Sequence, residues 1–134
     1  KMGERERAQR MYEEVLEYDP KSLEALRGLA ALALEASDFE TALEHHVRLV
    51  DLGESSPDIL YNTGLLYQKA QQMEKAAELY RAAIEKQPDF PEALLNLGHV
   101  LETMGKEGEA RECWSKALEA RPALAEGYFG PPLE

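Results

Sequence analysis

Aligned against itself, the chain repeats every 34 residues without a gap. Ala8, Ala42, Ala76 and Ala110 fall in one column, and Tyr12, His46, Tyr80 and Trp114 in another. Val15, Leu49, Ala83 and Ala117 form the next, followed by Leu16, Val50, Ile84 and Leu118. Pro20, Pro88 and Pro122 share a column with Glu54; Leu26, Leu60, Leu94 and Tyr128 share another. Ala30, Gly64 and Gly98 make a column of small residues. An unbroken period of this length confines the chain to a stacked array, because each unit can bury its apolar face only against a neighbour.

The spacing inside each unit says what is stacked. Leu26, Leu29, Ala30 and Ala33 recur at helical intervals, as do Leu94, Leu97, Gly98 and Leu101. A second helical stripe follows in every unit, clearest at Ala76, Leu79, Tyr80, Ala83 and Ile84. Each unit is therefore two helices. The small column lets the first helix approach its neighbour, the alanine column does the same for the second, and the aromatic column fills the space left. Helices are expected over 4–18, 22–36, 38–51, 57–70, 73–86, 91–104 and 107–120, with an eighth starting near Ala123 and breaking at Gly130-Pro131-Pro132. Pro88 and Pro122 end second helices, while Pro57 and Pro91 suit the first turn of the next, where a missing N–H costs nothing. Ser37 followed by Glu40 reads as a capping box, and Ser56 as a cap. Glu24, Asp58, Glu92 and Glu126 place acid in the first turn of each first helix, complementing its dipole.

Charge narrows the partners. The 134 residues carry 15 basic and 26 acidic side chains, a formal net charge of -11. That field repels phosphate backbones and anionic lipid surfaces, which argues against nucleic acid and membrane as ligands. It favours a partner of basic character, or simply keeps a helical array soluble. The longest apolar run, near Leu29 to Leu34, is far too short for membrane insertion. The opening Lys1-Met2-Gly3-Glu4-Arg5 carries no secretory signal. The single cysteine, Cys113, builds no internal disulfide framework and is compatible with a reducing compartment, from which nothing more follows. The expected location is cytoplasmic.

The columns resemble the tetratricopeptide repeat, whose first helix carries a large residue, Leu-Gly and Tyr, and whose second carries Ala, an aromatic and Pro. Leu94, Leu97-Gly98, Leu101, Ala110, Trp114, Ala117 and Pro122 match closely, and Leu60, Gly64, Tyr67, Ala76, Tyr80, Ala83 and Pro88 match well. The unit before them is degenerate: Ala30 replaces glycine, Ala33 tyrosine, His46 the aromatic and Glu54 the proline. The resemblance implies an all-α, right-handed superhelical solenoid of antiparallel helix pairs. About three full repeats (23–56, 57–90, 91–124) follow the second half of another (1–22), and 125–134 starts a further one, all within a single domain at 1–134. The half unit and the lack of a polar capping helix suggest a segment of a longer protein, whose uncapped ends could associate copies end to end as a homo-oligomer.

In arrays of this family the first helices line a concave groove. By that resemblance the groove takes Arg27 and Leu34 from one unit, Tyr61, Asn62, Leu65, Gln68 and Lys69 from the next, and Leu95, Asn96, His99 and Glu102 from the last. Asn62 and Asn96 share a column. An amide that both donates and accepts can hold an extended peptide backbone, while Gly28 breaks this ladder. Related proteins clamp the acidic tail of heat-shock chaperones with lysine; here Glu24, Asp58 and Glu92 occupy that column and would repel a carboxylate. A basic or mixed peptide fits better.

Nothing points to catalysis, to a metal or to a cofactor. Of the three histidines, adjacent His45 and His46 point about 100° apart on a helix and do not converge on one ion. His46 sits in the aromatic column, and Cys113 beside Trp114 reads as a small hydrophobe. No phosphate-binding glycine loop or nucleophile elbow is present. The expected role is a non-enzymatic protein–protein interaction scaffold that binds a peptide or protein segment. The alternatives are a self-assembly module, or the substrate-recruiting arm of a larger enzyme.

Overall fold

The computed structural model describes residues 2–124. Seven helices run in chain order: α1 Met2–Tyr18, α2 Leu23–Glu35, α3 Phe39–Asp51, α4 Pro57–Lys69, α5 Met73–Lys86, α6 Pro91–Thr103 and α7 Glu107–Ala120. The pairs α2/α3, α4/α5 and α6/α7 are antiparallel. The chain divides into two compact units, residues up to Ser55 and residues from Ser56 onward. The expected start of an eighth helix beyond Leu124, with Tyr128 and Phe129, lies outside the described residues.

In the first unit α2 packs against both α1 and α3. Its core is Ala25, Leu26, Leu29, Ala30 and Ala33 of α2, with Ala42, His46 and Leu49 of α3. In the second unit α4, α5, α6 and α7 pack successively. Ala76, Ala77, Tyr80, Leu97, Val100, Leu101 and Ala110 form its larger core cluster, and Leu94, Leu95 and Ala117 a smaller one. Each fully buried leucine contributes about 1.5–3 kcal/mol relative to exposure. The buried alanines, among them Ala42, Ala76, Ala83, Ala110 and Ala117, are small enough to let the helices approach closely.

The two close approaches in the second unit are specific. A Cβ on Gly64 would meet the Tyr80 ring at 2.8 Å, and one on Gly98 would meet the Trp114 indole at 2.1 Å. The aromatic residues of α5 and α7 thus lie on the small residues of α4 and α6. In the first unit the Tyr12 ring lies over Gly28 of α2, where a Cβ would strike it.

Helix ends follow local chemistry. Ser22 Oγ accepts from Ala25 N at 3.2 Å and Ser56 Oγ from Ile59 N at 3.4 Å. Pro57 and Pro91 open α4 and α6. The capping box expected at Ser37 is not formed. Asp38 caps α3 instead, accepting from Thr41 N at 3.3 Å. Ser37 is committed elsewhere: at φ 58° it is the left-handed residue that closes α2. Gln71 (φ 63°) and Gly105 (φ 81°) do the same in the same column. In all three, the next residue's N–H bonds back five residues: Asp38 to Ala33, Gln72 to Tyr67 and Lys106 to Leu101, at 2.8, 2.9 and 2.8 Å. The second helices end differently. Gln87 and Arg121 are extended (φ -138° and -147°), as the residue before a proline must be, ahead of Pro88 and Pro122. Where Glu54 replaces that proline, α3 closes through left-handed Gly53 at φ 100°.

Candidate functional site

The second unit presents one face built from α4 and α6. Tyr61 of α4 stands half-buried at its centre. Its ring tilts against Phe90 at 5.0 Å and against Tyr80 at 5.8 Å. Its hydroxyl accepts a hydrogen bond from Asn96 Nδ2 of α6 at 2.9 Å. Tyr80, fully buried, donates its own hydroxyl to Gln68 Oε1 at 2.6 Å. Burial, and then Tyr61 beside it, push the Tyr80 phenol well above its ordinary range, so it stays protonated and remains a donor. One network of two hydrogen bonds and three rings thus ties Gln68, Tyr80, Tyr61, Phe90 and Asn96 together.

Three of the expected groove residues, Tyr61, Gln68 and Asn96, are therefore braces. Each has spent one polar group inside the protein. Asn62, one position along α4, has not: half-buried, its amide makes no hydrogen bond among the described residues. Leu65 packs half-buried against the larger core cluster, and Lys69 is exposed at the end of α4. On α6, His99 sets its ring against Trp114 at 5.7 Å, and Glu102 is exposed.

Leu95 is a correction. The column it shares with Arg27 and Tyr61 put it on the groove, yet it is 1% exposed and packs with Leu94 and Ala117. A leucine is apolar over its whole length, so it takes the buried side of the helix boundary that a tyrosine hydroxyl or guanidinium leaves for solvent.

The first unit supplies Arg27 and Leu34. Leu34 is exposed. Arg27 is ion-paired with Glu54, the residue in the proline column, which offsets the positive charge expected of it. Gly28, in the asparagine column, is covered by the Tyr12 ring, so an asparagine side chain has no room there.

The acidic column behaves as a structural feature. Glu92 holds Arg121 at 2.8 Å. Its carboxyl is held below the usual range by the backbone N–H of its own helix start, with burial opposing and Arg121 adding to the effect. His46 is buried, its Nδ1–H donating to Ala42 O at 2.8 Å, and burial lowers its pKa below 6.5. Cys113 packs half-buried on the core, and burial raises its thiol pKa. Among the described residues no cluster of His, Cys, Asp or Glu has metal-binding geometry. None of the helices is long and apolar enough to cross a membrane.

Sequence columns missed Phe90 and the Tyr12–Gly28 contact. Phe90 aligns with Ser22, so its column reads as a capping position, and the ring that packs on Tyr61 replaces a cap. Tyr12 belongs to the aromatic column, which points to its own unit's small residue rather than to Gly28.

Profiles described as tetratricopeptide repeat match residues 1–57 and 91–124, and one described as TPR repeat matches 69–105. The repeated helix pairs, the small-on-aromatic contacts and these matches define a helical-repeat protein of the kind that generally mediates protein–protein interaction and is typically non-catalytic. The chain belongs to the tetratricopeptide-repeat family. A crystal structure of MamA superposes with a TM-score of 0.83 at 25% identity, covering 95% of this chain and 74% of that one. MamA residues 41 to the end from Desulfovibrio magneticus RS-1 give 0.74 at 23% identity, covering 91% and 69%. MamA AMB-1 gives 0.79 at 15%, covering 92% and 68%. These low identities speak for the fold alone. No curated protein sequence matches the chain significantly.

Proposed function

We propose that the α4–α6 face of the second unit binds an extended peptide segment of a partner protein. The observation that carries this is the state of the Asn62 amide: half-buried, on a braced surface, and without a hydrogen bond among the described residues. A primary amide offers one acceptor and two donors, which match a peptide group's N–H and C=O. Tyr61, held by Asn96 and two aromatic rings, keeps that surface rigid, so little ordering entropy is lost on binding. Asn96 keeps its carbonyl oxygen for the ligand while its Nδ2 holds Tyr61.

The ligand's character follows from the charges. Asp58 and Glu92 lie in the first turns of α4 and α6, and Glu102 is exposed on α6. They disfavour a segment ending in clustered carboxylates and suit a neutral or basic one. Selection of displayed peptides on the immobilised chain supplies the ligand. Asn62→Ala should then weaken the best peptide about 3- to 10-fold, the worth of one hydrogen bond, with no change in Tm. Peptides that bind Asn62→Ala as tightly as the parent would remove the α4–α6 face as the binding surface. So would a selection yielding only acid-tailed sequences.

A further inference from the structure

Gln68 is bonded from one side only. Its Oε1 accepts the Tyr80 hydroxyl at 2.6 Å, and its Nε2 makes no hydrogen bond among the described residues. An amide has two orientations in which a polar atom meets the Tyr80 oxygen, and the phenol's own proton decides between them. With Nε2 inward, the amide would donate to the phenol oxygen, and the phenol proton would have no acceptor among the described residues. Tyr80 is 0% exposed, so an orphaned O–H there is strongly disfavoured. Burial also keeps the phenol protonated, so the proton is always present to be placed. The amide is therefore held with Oε1 inward, and both Nε2 hydrogens are left on the outer side. A glutamine free in solvent both donates and accepts. This one offers donors alone.

The same column one repeat on holds Glu102. It is exposed on α6, and its carboxylate forms no ion pair among the described residues. An ionised carboxylate only accepts. At equivalent levels of α4 and α6 the surface thus offers a fixed donor and a fixed acceptor.

We infer that Tyr80 sets the specificity of the α4–α6 face by holding Gln68 as a donor, so that Gln68 reads a carbonyl oxygen of the bound segment. The inference rests on that face being the peptide surface, as proposed above. The carbonyl comes from the segment's main chain or from an Asn or Gln side chain. A donor-bearing residue, such as lysine, suits the neighbouring Glu102. Gln68 touches the ligand, whereas Tyr80, buried behind it, is a positioning residue.

The probe is the best displayed peptide selected on the parent chain. Its residues are replaced one at a time by alanine, and its main-chain carbonyls one at a time by thiocarbonyls, which accept hydrogen bonds poorly. Fluorescence anisotropy measures each peptide against the parent, Asn62→Ala, Gln68→Ala, Gln68→Glu and Tyr80→Phe, with circular dichroism confirming that every variant is folded. One peptide replacement should weaken binding to the parent about 3- to 10-fold and leave binding to Gln68→Ala unchanged. If that replacement is alanine the carbonyl belongs to a side chain, and if it is a thiocarbonyl it belongs to the main chain. Gln68→Glu still accepts from Tyr80 but turns an oxygen outward, so it should bind the original peptide about tenfold more weakly. Tyr80→Phe keeps the ring against Gly64 and frees the amide to turn. It should shrink the effect of the coupled replacement to about twofold or less, while Asn62→Ala leaves that effect whole. A Tyr80 that only supported the fold would weaken all peptides alike. The inference alone is overturned if Asn62→Ala weakens binding but no replacement couples to Gln68. It is also overturned if Gln68→Glu binds like the parent, or if Tyr80→Phe keeps the coupling in full. Binding that neither Asn62→Ala nor Gln68→Ala weakens would overturn the peptide face itself, and this inference with it.

Discussion

Asn96 Nδ2 donates to the Tyr61 hydroxyl at 2.9 Å, joining α6 to α4 through two side chains that the family resemblance assigns to ligand contact. Such a bond has a separable energy. Asn96→Ala and Tyr61→Phe should each lower stability, and a double-mutant cycle should give a coupling of about 0.5–1.5 kcal/mol. Urea unfolding of the four variants measures it. Additive losses would mean that the two groups act independently. Tyr61→Phe should leave peptide affinity nearly intact, because the ring still rests on Phe90 and Tyr80.

Gly98 and Gly108 are both helical, yet they should respond oppositely to alanine. A Cβ at Gly98 would strike the Trp114 ring, whereas one at Gly108 meets nothing within 4 Å. Gly98→Ala should destabilise by about 1–3 kcal/mol through overpacking. Gly108→Ala should gain about 0.5 kcal/mol from helix propensity. Thermal unfolding of the two variants separates them, and a Tm rise in both would contradict the close helix approach.

Gln71 closes α4 at φ 63°, in the column where Gly105 closes α6 at φ 81°. A non-glycine residue in the left-handed region costs about 1–2 kcal/mol, part of which glycine recovers at the expense of unfolded-chain entropy. Gln71→Gly should therefore raise stability by about 0.5–1 kcal/mol, and Ser37→Gly should do the same for α2. Chemical denaturation midpoints give the answer.

His46 sets a pH dependence in the first unit. Burial lowers its pKa in the folded chain below the ordinary 6.5, so below that pH the unfolded state takes up the proton first. Stability therefore rises with pH from the depressed folded value up to about 6.5, and falls as the solution is acidified through that window. His45 has the same sign, because burial outweighs Glu44, Glu13 and Asp38 around it. Tm should drop between pH 7.5 and 5.5, and His46→Phe should flatten part of that slope. An unchanged slope in His46→Phe would assign it to other groups.

The helices were legible because their columns rest on packing that every unit must repeat. Pro57, Pro91 and Ser56 sit where local backbone chemistry requires them, and the observed helices differ from the expected ones by a residue or two at their ends. The misreadings have one physical origin. A repeat column reports which way a side chain leaves its helix, and the neighbours decide what it meets. Leu95 leaves α6 as Tyr61 leaves α4, but it enters a cluster with Leu94 and Ala117. Tyr12 leaves α1 as Tyr80 leaves α5, but it rests on Gly28 of the following helix. Arg27 reads as a groove cation until Glu54, in a column that elsewhere holds proline, pairs with it. The Ser37 capping box failed because the left-handed closure of α2 requires that same residue.

Photocrosslinking tests the central reading most directly. p-Benzoylphenylalanine at Glu102, exposed on α6, is compared with the same group at Glu78, exposed on α5. Each variant is irradiated with the best selected peptide, and the adduct is mapped by mass spectrometry. The α4–α6 face predicts an adduct from position 102, competed by unlabelled peptide and weakened by Asn62→Ala, with none from position 78. A competed adduct from position 78 and none from position 102 would place the ligand on the second helices and contradict the account.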